Sequence, residues 1–201
     1  ITSSFKNNID LFALPPKLFF FDIDFSAYER VFGFSNLFKF DPSYSELFLT
    51  SRIIDSLIIG LGSSSLTLII GIYAGYYISR VNFKFKRYLI ISILSARMMP
   101  LVSIAIPIYF VYEKINLLDT YIGIILVHTF INLPLAVLLL KSFFDEVPKQ
   151  IDENAYIDGA SKIKILHRLV IPCAKSGMAV TFILSLIFSW TEFICALMIG
   201  Q

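Results

Sequence analysis

Charge is scarce in this chain. Of its 201 residues only 16% are Asp, Glu, Lys or Arg, against about 25% in average soluble proteins, while 57% are hydrophobic. Mean hydropathy is +0.76, which excludes an ordinary soluble domain. Disorder is excluded too, because disordered segments are poor in aromatics and here Phe, Tyr and Trp reach 15%. Neither sign of charge dominates. The net charge of +2 is too small for a global field that would draw in nucleic acid. Cysteine is nearly absent: Cys173 and Cys195 make no metal or redox spacing and read as two buried small hydrophobes. The two histidines, His128 and His167, form no ligand set with each other or with the cysteines. There is no phosphate-cradling GxxxxGK(S/T) loop, and no Ser/His/Asp or paired-carboxylate arrangement. The expectation is a membrane protein that is not an enzyme and holds no metal or cofactor of its own.

What the chain does have is long apolar runs. A bilayer core of about 30 Å needs about 20 apolar residues as a helix. Four stretches qualify, at about residues 53–78, 88–112, 120–140 and 178–199. The first is interrupted only by small residues such as Gly60, Gly62, Ser63, Ser64, Ser65, Gly71 and Gly75, which let helix backbones approach closely. The connection after the first stretch carries Arg80, Lys84, Lys86 and Arg87 with no acidic residue among them. The connection after the third, residues 141–175, carries Lys141, Lys149, Lys162, Lys164, Arg168 and Lys175. The short opposite loop, 113–119, has only Lys114. Basic loops stay in the cytoplasm, so 141–175 is expected inside and both ends of this chain outside.

Residues 1–50 mix Lys6, Lys17, Arg30 and Lys39 with Asp10, Asp22, Asp24, Glu29, Asp41 and Glu46, and are too charged to span. They read as an external segment, partly helical around 26–32, ahead of a membrane domain at 51–201. An external start without an export signal leads us to expect a further helix upstream.

The polar connection between the third and fourth stretches has its own logic. Residues 152–172 read DENAYIDGASKIKILHRLVIP. Asp152 and Glu153 suit a helix N-terminus, and Asp158-Gly159 is a turn signal. A second helix from Ala160, apolar at Ile163, Leu166, Leu169 and Val170, is expected to break at Pro172. The prediction is a helix-turn-helix finger on the cytoplasmic face.

This segment resembles the diagnostic loop of the ABC-importer permeases, in particular their sugar-type branch, which includes the maltose permease. That loop runs Glu-Ala-Ala, three residues, Gly, nine residues, then Ile-x-Leu-Pro. Here Glu153, Asn154 and Ala155 fill the first triplet and Gly159 follows at the same spacing. Residues 160–168, starting with Ala160, lead to Leu169, Val170, Ile171 and Pro172. Leu169, Ile171 and Asn154 depart from the pattern, the last placing a polar group on the docking helix. The likeness continues through AGYYISRVNFKFKR at 74–87, ARMMPLVSIAIPIYF at 96–110, LLDTYIGIIL at 117–126 and NLPLAVLLLKSFFDEVPKQI at 132–151. It reaches Ser189-Trp190-Thr191-Glu192-Phe193, where the family has Trp-Asn-Glu-Phe; Thr191 departs. It covers about residue 55 to the end.

The resemblance implies an all-α polytopic membrane fold, the type I importer transmembrane domain, with four helices here of a probable six. It implies a multi-pass subunit of the cell inner membrane that forms a small-solute path with a second permease, usually a different chain. An extracytoplasmic binding protein would deliver the solute, most simply a sugar or oligosaccharide, and a dimer of ATPase subunits would use the ATP. The finger would insert in a cleft of the ATPase, Glu153 and Asp158 offering polar contacts, Gly159 the sharp turn, and Ala155, Ala160, Leu169 and Pro172 the remaining motif positions.

Polar groups inside the apolar stretches are the other candidates. Arg97 falls nine residues into the second stretch, about 14 Å deep at helical rise, where a charge is costly and must face the bundle interior or a wet cavity. Glu192 is the second such group. The two either line a pathway or hold helices together, within this chain or to a second subunit. Pro100, Pro107 and the Asn132-Leu133-Pro134 run free backbone carbonyls and mark either a pathway and hinges or ordinary helix packing. His128 is either a packed interhelical donor or a proton relay, and His167 a surface residue of the loop. Trp190, Tyr109 and Phe130 either stack on sugar rings or pack. An ion-gradient-driven carrier, an ABC permease for a non-sugar solute and a membrane enzyme are the competing functions; the last lacks a catalytic cluster.

Overall fold

The computed structural model describes residues 23–25 and 46–200, residues 46–51 by their backbone alone. The helix expected around 26–32 lies outside the described residues. The chain divides into two compact units, Ile1–Ser56 and Leu57–Gln201, and every site below lies in the second. Among the described residues all regular structure is helical.

Helix α1 spans Glu46–Arg80, and its stretch Arg52–Arg80 is long and apolar enough to cross a bilayer. Helices α2 (Lys86–Arg97) and α3 (Leu101–Lys114) follow. They occupy the second expected span but are not one helix, being bent by 91° at Met98–Pro100. Pro100 is the cause: it has no N–H to continue the ladder, and its ring drives the preceding residue out of the helical region. Pro107, by contrast, stays inside α3.

Helix α4, Tyr121–Glu146, is the second described helix able to span alone. The Thr120 hydroxyl starts it by accepting the Gly123 N–H at 3.0 Å. It tolerates Pro134 within its length and runs past the expected end at 140. The polar connection then folds as α5 (Lys149–Ile157), α6 (Lys162–Ile165), a π-helical turn (Leu166–Val170) and α7 (Ile171–Cys173).

Helix α8 covers Lys175–Thr191 and stops at Glu192, whose ψ of 119° is extended; α9 (Ile194–Ile199) follows. The expected span 178–199 is therefore broken. The break is stabilised locally. The Glu192 carboxylate accepts the Cys195 N–H at 3.1 Å from each oxygen, serving a backbone donor that a continuous helix would have paired. Cys195 and Ile199 of α9 are then buried against Ala105 of α3 and Val127 of α4.

Helices α1 and α4 approach closely at Gly75. A Cβ there would stand 3.0 Å from the Lys141 nitrogen and 3.2 Å from the Val137 oxygen, both backbone atoms that cannot move aside. Ile58, Leu61, Ile69 and Tyr77 on α1 point outward, as expected where the surroundings are apolar. The larger core cluster joins Ile72 of α1 and Leu140 and Phe144 of α4 to Ala155, Ile165, Leu166, Val170 and Ala174 of the polar connection.

Candidate functional site

The polar connection is a finger with a defined tip. Pro148 leads into α5, its φ of −56° already suited to a helix start. At the other end Asp158 caps α5 and Gly159 takes φ +81°. The Gly159 N–H bonds the Tyr156 carbonyl and the Ala160 N–H bonds the Ala155 carbonyl, each at 3.0 Å, which closes a Schellman motif. A Cβ at Gly159 would meet nothing within 4 Å, so the left-handed backbone and not crowding requires glycine here. The Ser161 hydroxyl accepts the Lys164 N–H and starts α6.

The finger has two faces. Ala155, Ile165, Leu166 and Val170 are buried in the core cluster, with Ala160 packed against it. Glu153, Asn154, Asp158 and Gly159 are exposed. So are three large apolar side chains, Tyr156 at 66%, Ile157 at 82% and Ile163 at 68%. Of the apolar positions on this segment, Leu166 and Val170 face inward together with Ile165, while Ile163 and Leu169 face outward. The break expected at Pro172 comes two residues later, where the helical segment Lys162–Cys173 ends and the chain bends by 82° at Ala174 before α8.

Polar contacts fasten the base of the finger. Asp152, in the first turn of α5, lies 2.9 Å from Arg80 Nε and accepts the Tyr76 hydroxyl at 2.6 Å. Arg80 also donates to the carbonyls of Phe144 at 3.0 Å and Val147 at 3.1 Å. Beside it, Asp145 accepts from Ser79 at 2.6 Å and pairs with Lys141. His167 is exposed, as expected of a loop residue, with Tyr73 3.0 Å from its Nε2. No spacing rule links Arg80 to Asp152, and the sequence assigns them only to topology and helix dipole. Local pattern carries no signal for their meeting.

A second polar group lies within the helix bundle. Glu192 meets His128, not Arg97: Nε2 and Oε2 are 3.3 Å apart, with side chains 3% and 8% exposed. His128 Nδ1 lies 2.6 Å from the Ser189 hydroxyl, which is 2.9 Å from that of Ser63. These contacts tie α4, α8 and α1 together. Asn132 reaches the Ser185 carbonyl on α8 at 3.4 Å. Arg97 ends α2, donates to the Ile131 carbonyl at 3.2 Å and lies 4.8 Å from the centre of the Phe188 ring.

Two cavities meet at Arg97. One of about 360 Å³ is lined by Arg97, His128, Asn132, Phe188, Glu192 and Phe193, among others. The other, about 850 Å³ and mostly apolar, shares Arg97 and includes Phe130 and Pro134. Trp190, Tyr109 and Pro100 line neither; Trp190 is half exposed and Pro100 forms the α2–α3 break. The cysteine expectation is half corrected, since Cys195 is buried but Cys173 is exposed beside the α7–α8 bend. Among the described residues no group of His, Cys, Asp or Glu is arranged to hold a metal.

Comparison with known proteins agrees with this architecture. The chain is 30% identical over 161 residues to the sulfoquinovosyl glycerol transport system permease protein SmoH of Agrobacterium fabrum, covering 80% of this chain and 56% of SmoH. It is 34% identical over 148 residues to the trehalose transport system permease protein SugB of Mycobacterium tuberculosis, covering 74% of this chain and 54% of SugB. The chain thus spans little more than half the length of these relatives. In fold it is similar to a chain in the crystal structure of a bacterial ABC transporter involved in the import of the acidic polysaccharide alginate. The TM-score is 0.73 at 24% identity, covering 99% of this chain and 65% of that one. The sequence profile described as "Binding-protein-dependent transport system inner membrane component" matches residues 67–201, which include Arg80, Asp152, His128 and Glu192. The chain belongs to that family of ABC transporter permeases.

Proposed function

We propose that this chain is the transmembrane permease subunit of an ATP-driven importer for a sugar or oligosaccharide. It forms the solute path with a second permease of different sequence and receives solute from an extracytoplasmic binding protein. Its finger seats in a dimer of cytoplasmic ATPase subunits, which bind and use the ATP; this chain takes no cofactor. Residues 141–175 face the cytoplasm and residues 1–50 the outside.

The observation that carries this reading is the finger. Tyr156, Ile157 and Ile163 are bare beside Glu153, Asp158 and the Gly159 turn, on a segment whose other face is buried in the core. An apolar patch rimmed by charge marks a protein-docking surface. A docked finger with a fixed turn can pass a movement of the ATPase to the membrane helices. The relatives' names point to carbohydrate: sulfoquinovosyl glycerol for SmoH and trehalose for SugB.

The test is reconstitution in liposomes of the chain with its ATPase subunits, partner permease and binding protein. The expected result is ATP-dependent uptake from a panel of labelled sugars that includes trehalose. Glu153→Lys is expected to weaken co-purification of the ATPase while membrane insertion is retained. ATP-dependent uptake of amino acids and of no sugar would overturn the substrate class. One observation favours a second reading: the buried His128–Glu192 pair is a group that an ion-gradient-driven carrier could use. Uptake driven by a proton gradient with no ATPase subunits present would decide for it.

A further inference from the structure

Resting on the coupling role proposed above, we infer that Arg80, Asp152 and Tyr76 form a joint that makes the finger move as one body with α1 and α4. Three elements converge on one guanidinium. Arg80 is the last residue of α1. Its two terminal nitrogens donate to Phe144 O and Val147 O at the end of α4, at 3.0 and 3.1 Å. Its Nε faces Asp152 of α5 at 2.9 Å. Carbonyls at a helix C-terminus have no partner within the helix and favour a cation, and the planar fork of arginine can serve two of them while facing a carboxylate. Tyr76, one turn earlier on α1, takes the other oxygen of Asp152 at 2.6 Å, and its ring stands edge-on to Phe144 at 6.0 Å between centroids. One carboxylate oxygen of Asp152 is thereby hydrogen-bonded to α1 and the other lies in ion-pair range of it. The arginine and aspartate side chains are only 10% and 15% exposed, so water offers little competition.

The geometry matters because the covalent link is short and bendable. Only Val147 and Pro148 separate α4 from α5, and without further restraint the finger would pivot there. The apolar core beneath the finger resists separation, but apolar contact is non-directional and sets no angle strongly. The hydrogen bonds from Tyr76 to Asp152 and from Arg80 to the Phe144 and Val147 carbonyls are directional and fix that angle, with the Arg80–Asp152 ion pair adding attraction between the same elements. A push on the finger is then delivered to α1 and α4 instead of being absorbed at the Val147–Pro148 connection. Arg80, Asp152 and Tyr76 act as positioning residues.

Spin labels test the joint in the intact complex, without knowledge of the solute. Gln150→Cys on the finger and Ile69→Cys on α1 are labelled in a Cys173→Ser background, with the ATPase subunits bound. Distances are compared nucleotide-free and with ATP trapped by vanadate. With the native joint, one narrow distribution is expected in both states. In Asp152→Asn the distribution is expected to broaden and to shift with nucleotide, while ATPase co-purification stays at the native level, and Asp152→Glu is expected to restore the narrow distribution. Tyr76→Phe, which keeps the ring contacts, is expected to give the same shift in smaller degree and decides the matter if Asp152→Asn does not assemble. Distributions in the variants that overlay the native one, or a nucleotide-dependent distance in the native chain, would overturn the joint. Failure of the native chain to bring down any ATPase subunit would instead defeat the functional reading beneath it.

Discussion

The two polar clusters of this chain use charge in opposite ways. At the base of the finger, Arg80, Asp152, Asp145 and Lys141 fasten the ends of α1 and α4 to the start of α5. Within the bundle, Arg97 and Glu192 sit where helices break, next to cavities of about 360 and 850 Å³. The same residue types therefore mark stiffness in one region and interruption in the other. Under the function proposed above the two demands differ: a segment that receives force has to be rigid, and a segment that a solute passes has to leave room.

The contrast can be broken most severely at His128. His128→Ala removes the side chain that both Glu192 and Ser189 contact and leaves a cavity in the bundle, a large-to-small change expected to cost about 2–5 kcal/mol. Thermal unfolding in detergent should show a fall larger than for any finger variant below. Next is Gly75→Val, which forces a side chain against the backbone of α4. Overpacking of this kind costs about 1–3 kcal/mol, visible as a lower unfolding midpoint. Gly159→Ala should cost about 1–2 kcal/mol through its left-handed backbone alone. Because that strain is confined to the tip, limited proteolysis near Lys162 should quicken while the unfolding midpoint of the membrane helices stays put. The smallest effect is expected for Tyr73→Phe. It removes one exposed hydrogen bond to His167, worth about 0.5–1.5 kcal/mol at most, and an unfolding midpoint near that of the native chain checks it.

Much of the finger was legible because its signals are local. Gly159 with Asp158 announces a turn, and the Ala155 to Pro172 spacing places the motif without any knowledge of packing. The first and third spans were legible from apolar length. The second and fourth were not, for a physical reason. Proline was expected to kink, but a right-angle break at Pro100 depends on what α2 and α3 pack against. Nothing in the run ending at Glu192 announces that its carboxylate will serve the Cys195 N–H. Arg80 with Asp152, and His128 with Glu192, are pairs made by tertiary packing, beyond the reach of any helical period.

Under the proposed function the finger couples ATP use to movement of solute through this chain. The direct measurement is uptake of labelled sugar per ATP hydrolysed, in liposomes carrying the complete complex, for the native chain and for Gly159→Pro. Proline cannot adopt φ +81°, so the tip must be rebuilt while the membrane helices remain. The account predicts ATP-dependent uptake by the native complex and its collapse in the variant, with membrane insertion retained. Equal ATP-dependent uptake by both would contradict it.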